Sequence, residues 1–110
     1  MNPDNMDNVF QALASAPRRE MLDIVKERPG CSVVHVCSFF DVSRIAVMKH
    51  LNVLEKAGLI ISEKRGRTRE LYFNATPIQT IHERWTTDYS AHWAGRLNQF
   101  KRNVESSLHK

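Results

Sequence analysis

The stretch that decides the fold is SVVHVCSFFDVSRIAVMKHLNVLEKAG, Ser32 to Gly58. Its apolar residues fall into two helical sets with a break between them. Val33, Val36, Cys37 and Phe40 recur at i, i+3, i+4 and i+7, the spacing of a single buried helical face. Asp41 and Val42 form a short turn, and Val47, Leu51 and Leu54 make a second inward face. Ser32 and Ser43 stand where N-caps are needed, because a serine hydroxyl accepts from the orphan N–H groups of a first turn. Gly58 after Ala57 reads as the stop of the second helix. A short helix, a tight turn and a longer helix with Arg44, Lys49 and His50 directed outward make a helix-turn-helix. Such a helix, held proud of its domain, has the shape to enter a major groove and present side chains to base edges.

Upstream, residues 3–14 place Met6, Val9, Phe10 and Leu13 at helical spacing. SAPRREMLDIVKERPG follows, with Ser15 as cap, Pro17 tolerated in the first turn and Met21, Leu22 and Val25 facing inward. Pro29-Gly30 ends that helix. Downstream of Gly58 the period changes. Residues 59–64 and 67–73 are β-prone runs, and Gly66 supplies the positive φ that a hairpin tip needs. Lys64, Arg65, Arg67 and Arg69 crowd this tip. On its own it reads as a solvated hairpin; beside a helix-turn-helix, it reads as a wing that reaches phosphates or the minor groove.

Thr76-Pro77-Ile78-Gln79 opens the last helix as a capping box with proline at the first helical position. Its apolar stripe is Ile78, Ile81, Trp85, Tyr89, Trp93, Leu97, Phe100, Val104 and Leu108. At about 1.5 Å per residue this helix runs to roughly 45 Å, longer than a small core can cover. The uncovered aromatic stripe argues for a second copy of the chain, the competing arrangement being a broken helix folded back over its own core. The expected fold class is mainly α with a small β-hairpin: a winged helix-turn-helix with a long C-terminal dimerisation helix. One domain spans residues 1–110, with the helix-turn-helix at 32–57, the wing at 59–73 and the dimerisation helix at 76–106.

Composition fits this reading. Of 110 residues, 42% are hydrophobic, enough for a core. The net charge of +4 is concentrated: between Ser43 and Glu70 there are seven basic and three acidic residues, and the remainder is balanced. That window is a candidate face for a polyanion. The start, MNPDNMDNVF, is polar and acidic, and no apolar run approaches the roughly 18 residues that cross a bilayer. The expectation is a soluble, cytoplasmic chain without a membrane partner, its two cysteines free thiols.

ALASAPRREML, RIAVMKHLNVLEKAGLI and EKRGRTRELYFN together resemble the ArsR-type winged-helix transcriptional regulators, and the resemblance covers almost the whole chain. The C-terminal ERW…Y…W…RL resembles a branch of that family without the well-known metal motifs. The resemblance implies a homodimer built on the first and last helices, with Val9, Phe10, Leu13, Trp85, Tyr89, Trp93, Leu97 and Phe100 at the interface. It implies double-stranded DNA as partner, a near-palindromic operator with half-sites one turn or about 34 Å apart, and repression relieved by an effector of unknown identity. The recognition helix becomes Ser43 to Lys56. Its groove-facing candidates are Ser43, Arg44, Ala46, Lys49 and His50; Val47 turns inward. Arg44 is the foremost base reader, because a guanidinium pairs bidentately with guanine. Lys49 and the wing arginines Arg65, Arg67 and Arg69 are expected to hold phosphate, and Lys64 at the same tip is a further DNA-binding candidate.

Cys31, His35 and Cys37 raise the question of a metal or redox site. Arsenic- and cadmium-sensing members carry ligand cysteines at the start of the first helix of the motif; the matching positions here are Ser32 and Val34. Zinc-sensing members use an aspartate two before a histidine on the last helix, where this chain has Thr80 before His82; His92 is off the family spacing, and Gly95 stands where a further ligand belongs. No metal and no cofactor are therefore expected. Cys37 is expected to pack in the core and Cys31 to sit in a solvated or fraying position, with redox sensing at Cys31 left open. A metal- or thiol-responsive sensor with a rearranged site, and a winged-helix interaction module that ignores DNA sequence, stand as alternatives. Catalysis is not expected: the Cys and His of HVC do not face each other on a helix, and there is no glycine-rich phosphate loop or carboxylate cluster.

Overall fold

The computed structural model describes residues 3–86 and 91–108. These form α1 (Pro3–Leu13), α2 (Ala16–Glu27), α3 (Val33–Cys37), α4 (Arg44–Lys56), β1 (Ile60–Arg65), β2 (Thr68–Phe73), α5 (Thr76–Thr86) and α6 (Ala91–Leu108). The chain divides into two compact units, residues 1–80 and 81–110.

In the first unit the caps sit where short-range chemistry puts them. The hydroxyls of Ser15, Ser32 and Ser43 accept from the backbone N–H of Arg18 (3.5 Å), His35 (3.1 Å) and Ala46 (3.1 Å). α4 ends in a Schellman motif. Gly58 N–H donates to the Glu55 carbonyl (2.9 Å) and Leu59 N–H to the Leu54 carbonyl (3.0 Å), with Gly58 at φ 78°. Leu54 and Leu59 are both wholly buried, the apolar pairing that accompanies this motif.

The core is assembled from α1, α2, α3, α4 and the base of the hairpin, and it includes Val9, Met21, Val25, Val36, Val47, Leu51, Leu54 and Ile60. α4 packs against α1, α2, α3 and β1, which leaves only one of its faces for solvent. β1 and β2 pair antiparallel from Ile60 opposite Phe73 out to Arg65 opposite Thr68. Their two-residue loop has Gly66 at φ 59° and Arg67 at negative φ, the pattern of a type II′ turn. Burial falls away along the hairpin: Ile60 and Leu71 are buried at the base, and every residue from Glu63 to Arg69 is exposed.

The structure corrects several sequence expectations. The two cysteines exchange roles. Gly30 N–H donates to the Leu71 carbonyl (2.8 Å) and Leu71 N–H to the Cys31 carbonyl (2.9 Å), so Cys31 forms a one-residue bridge to β2. Residues directly opposite in an antiparallel pair share a face, and Leu71 faces the core; Cys31 follows it and is only 6% exposed. Cys37, in contrast, is half-buried, because α3 ends there after five residues and the expected stripe stops with it. Phe40, beyond that end, is likewise half-buried. Val9 is 0% exposed within the chain itself, which makes it a core residue with no surface to offer a partner.

The helix expected over 76–106 is described as α5 and α6. Residues 87–90, Tyr89 among them, and the side chain of Trp93 lie outside the described residues. In the second unit Trp85, Leu97, Phe100 and Val104 are exposed, Phe100 at 67%. Among the described residues no helix is long and apolar enough to cross a membrane.

Candidate nucleic-acid interface

The buried residues of α4 fix what its outer face presents. At roughly 100° per residue, Ile45, Lys49, Asn52 and Lys56 project within about 50° of the direction opposite the Val47, Leu51 and Leu54 stripe. All four are exposed, and Ile45 reaches 71%. Arg44 and His50 lie on opposite flanks of that stripe. Ala46 is half-buried, and Ser43 is committed to its cap.

Arg44 is on the flank toward the hairpin. A cleft of about 120 Å³ runs between α3, the start of α4 and β2, lined by Arg44, Met48, Arg67, Thr68 and Arg69 with the Ser32–Val34 segment. No carboxylate lines it. Among the described residues, the side chains of Arg44, Lys49, Lys64 and Arg67 have no hydrogen-bond or ion-pair partner. The other two wing cations are held loosely: Arg65 to Glu70 at 3.4 Å and Arg69 to Glu55 at 3.5 Å. Exposed pairs of this kind contribute about 0–1 kcal/mol, so they yield readily to a phosphate. Glu55 also accepts from the Ser62 hydroxyl, and Glu70 from the Tyr72 hydroxyl at 2.7 Å. These bonds draw the two carboxylates toward the hairpin base and leave the tip cationic.

His50 departs from the sequence expectation. It is half-buried, and its Nδ1 lies 3.3 Å from the Arg18 guanidinium of α2, so the Nδ1 edge of its ring faces α2 and the residue is not wholly outward. Ile45 and Asn52, which the sequence reading passed over, occupy the outer face instead. The signal for them was present: both are out of phase with the buried stripe. An exposed isoleucine suits a thymine methyl and an asparagine suits adenine.

Among the described residues no cluster of three or more His, Cys, Asp or Glu side chains is placed to hold a metal ion. His82 is exposed beside the Thr86 hydroxyl (3.2 Å to Nδ1), and the His92 side chain lies outside the described residues. Burial pushes the Cys31 thiol up from its ordinary 9.0, with Arg28 opposing in part. A buried, protonated thiol is a poor nucleophile. Brief alkylation of the native protein with iodoacetamide at neutral pH should therefore modify Cys37 first and Cys31 only on unfolding; equal rates would refute the bridge. A folded thiol with a raised value binds its proton more tightly than the unfolded one, so its contribution is complete below 9.0 and is lost as pH rises above it. The Tyr72 hydroxyl, raised above 10.0 chiefly by its bond to Glu70, acts in the same direction.

Helix-turn-helix, basic hairpin and a cationic cleft between them define a winged helix-turn-helix protein of the nucleic-acid-binding kind. The relatives agree. A Bacillus subtilis protein described as an uncharacterized HTH-type transcriptional regulator, YuzN, is 37% identical over 87 residues, spanning 74% of this chain and 95% of its own. The transcriptional repressor SdpR of the same organism is 30% identical over 74 residues, 67% of this chain and 81% of its own. A crystal structure of an ArsR family transcriptional regulator superposes with a TM-score of 0.71 at 30% identity, covering 86% of this chain and 95% of that one. No protein-family model matches the sequence. The chain belongs to the ArsR family of winged helix-turn-helix transcriptional regulators.

Proposed function

We propose that the chain is a sequence-specific DNA-binding repressor that acts as a homodimer in the cytoplasm. α4 enters the major groove with its outer face, and the hairpin rests on the flanking backbone. The observation that carries this is the acid-free cleft joining Arg44 of α4 to Arg67 and Arg69 of the wing. It places the unpaired guanidinium groups of Arg44 and Arg67 beside the helix face that the core leaves exposed. Dimerisation is supported by exposed apolar residues on the helices the family uses, Phe10 on α1 and Leu97 and Phe100 on α6. Repression is supported by SdpR, which is named for it. Thiol sensing loses support from the burial of Cys31.

Selection from a random duplex library, followed by fluorescence anisotropy at near-physiological salt, tests the reading. The expected result is a near-palindromic site bound about a thousandfold or more tighter than a shuffled duplex. Weak, salt-sensitive binding without enrichment of any sequence would sink it in favour of an interaction module that does not read DNA.

A further inference from the structure

We infer that Arg18 is a positioning residue for the recognition helix: it ties His50 of α4 to the carbonyl end of α1, making α1 and α4 one mechanical body. The inference rests on the proposal that α4 reads DNA.

Arg18 stands in the first turn of α2 and is half-buried. Its Nε donates to the Ala12 carbonyl at 2.9 Å and its Nη2 to the Gln11 carbonyl at 2.8 Å. Arg19 Nη1 donates to the Leu13 carbonyl at 2.6 Å. Three successive carbonyls of the last turn of α1 thus accept from α2; Gln11 also accepts from the Ala14 N–H at 3.2 Å, whereas Ala12 and Leu13 carry the usual orphan carbonyls of a helix end. A capping role alone would end there. The remaining arm of Arg18 crosses to α4, where Nη1 lies 3.3 Å from His50 Nδ1. Arginine has no acceptor, so Nδ1 accepts and the imidazole proton sits on Nε2.

Guanidinium geometry gives the contact its mechanical meaning. The group is a rigid planar fork; once Nε and Nη2 are fixed on α1, the direction of Nη1 is fixed too. His50 flanks the buried stripe of α4, so holding its ring adds a directional restraint to the rotation that Val47, Leu51 and Leu54 set by burial. That rotation decides where Ile45, Lys49 and Asn52 point. α1 also bears the exposed Phe10 assigned to the dimer. A displacement of α1 at the dimer interface therefore reaches the reading face through this polar tether as well as through the direct packing of α1 on α4.

The test is a double-mutant cycle on the duplex recovered by the selection above, together with imidazole nitrogen NMR of the free protein. His50→Leu leaves the α1 bonds intact and removes only the crossing arm. It and Arg18→Ala should each lower preference for the selected duplex about tenfold, and the double variant should lose no more than either single. His50→Gln, whose amide oxygen can accept from Nη1, should retain most of the preference. In the free protein His50 should be the Nε2–H tautomer, and Arg18→Ala should give a mixture. If Arg18→Ala does not fold, Arg18→Lys takes its place, because a single ammonium keeps the charge but cannot span both carbonyls and the ring. Additive losses would mean that His50 touches DNA independently, and the inference falls; an unchanged tautomer in the Arg18 variant overturns it as well. A wild-type chain without operator preference removes the function proposal, and the NMR comparison then decides the tether by itself.

Discussion

Leu54→Ala is expected to cost about 2–5 kcal/mol, the range for emptying a fully buried leucine site. Leu54 is 0% exposed and sits at the junction of three local devices. It belongs to the inward stripe of α4, its carbonyl accepts the Leu59 N–H of the Schellman motif, and the chain turns into β1 directly after it. A cavity there loosens the helix, its stop and the base of the wing together. For a domain of this size each kcal/mol moves Tm by roughly 4–8 °C, so a fall of at least about 8 °C in a thermal melt is expected. Val53→Ala is the control. Val53 is the neighbouring residue on the same helix but is 37% exposed, and alanine is the better helix former. Its effect should stay within about 0.5 kcal/mol. Val53→Ala matching Leu54→Ala would show that the phase of α4 is wrong, and the outer face with it.

What could be read in advance divides by range. Caps, the glycine stop, the hairpin tip and the buried stripe of α4 are decided by residues within four or five positions of one another, and Ser32, Ser43, Gly58, Gly66 and Leu54 all behave as their local chemistry requires. Cys31 was misplaced because its environment is set by Leu71, forty residues on in sequence; nothing in GCSVVHVC announces that pairing. The half-burial of His50 has the same kind of origin. Its flank position on α4 permits either direction, and Arg18, 32 residues earlier, decides it. The resemblance puts Val9 at an interface because it builds the dimer on the first helix, and the periodicity of that helix does not say whether an apolar residue meets the chain's own core or another copy; Val9 meets its own core. The basic window between Ser43 and Glu70 was legible as charge, whereas the cleft that collects Arg44, Arg67 and Arg69 required the hairpin to stand beside the start of α4.

Arg44 and Arg67 line the same cleft and carry the same charge, yet they should fail differently when removed. Arg44 is in the first turn of α4, the part of a recognition helix that meets base edges. A bidentate arginine–guanine contact discriminates by about 1–3 kcal/mol. Arg44→Ala should accordingly reduce the ratio of operator to shuffled-duplex affinity by roughly tenfold to a hundredfold. Arg67 is at the hairpin tip, in the two-residue loop, where every neighbour is exposed and nothing holds the side chain at a fixed angle. It is suited to phosphate, which carries no sequence information. Arg67→Ala should weaken binding to both duplexes by a similar factor and make the slope of log K against log salt shallower by about one. Neither substitution touches the core, so thermal melts should match wild type, which separates loss of contact from loss of fold. Anisotropy titrations of both variants on both duplexes, at three salt concentrations, distinguish the roles. An Arg44→Ala variant that keeps its operator preference while its salt slope falls would reassign Arg44 to the backbone, and discrimination would then rest on the outer-face residues Ile45, Lys49 and Asn52.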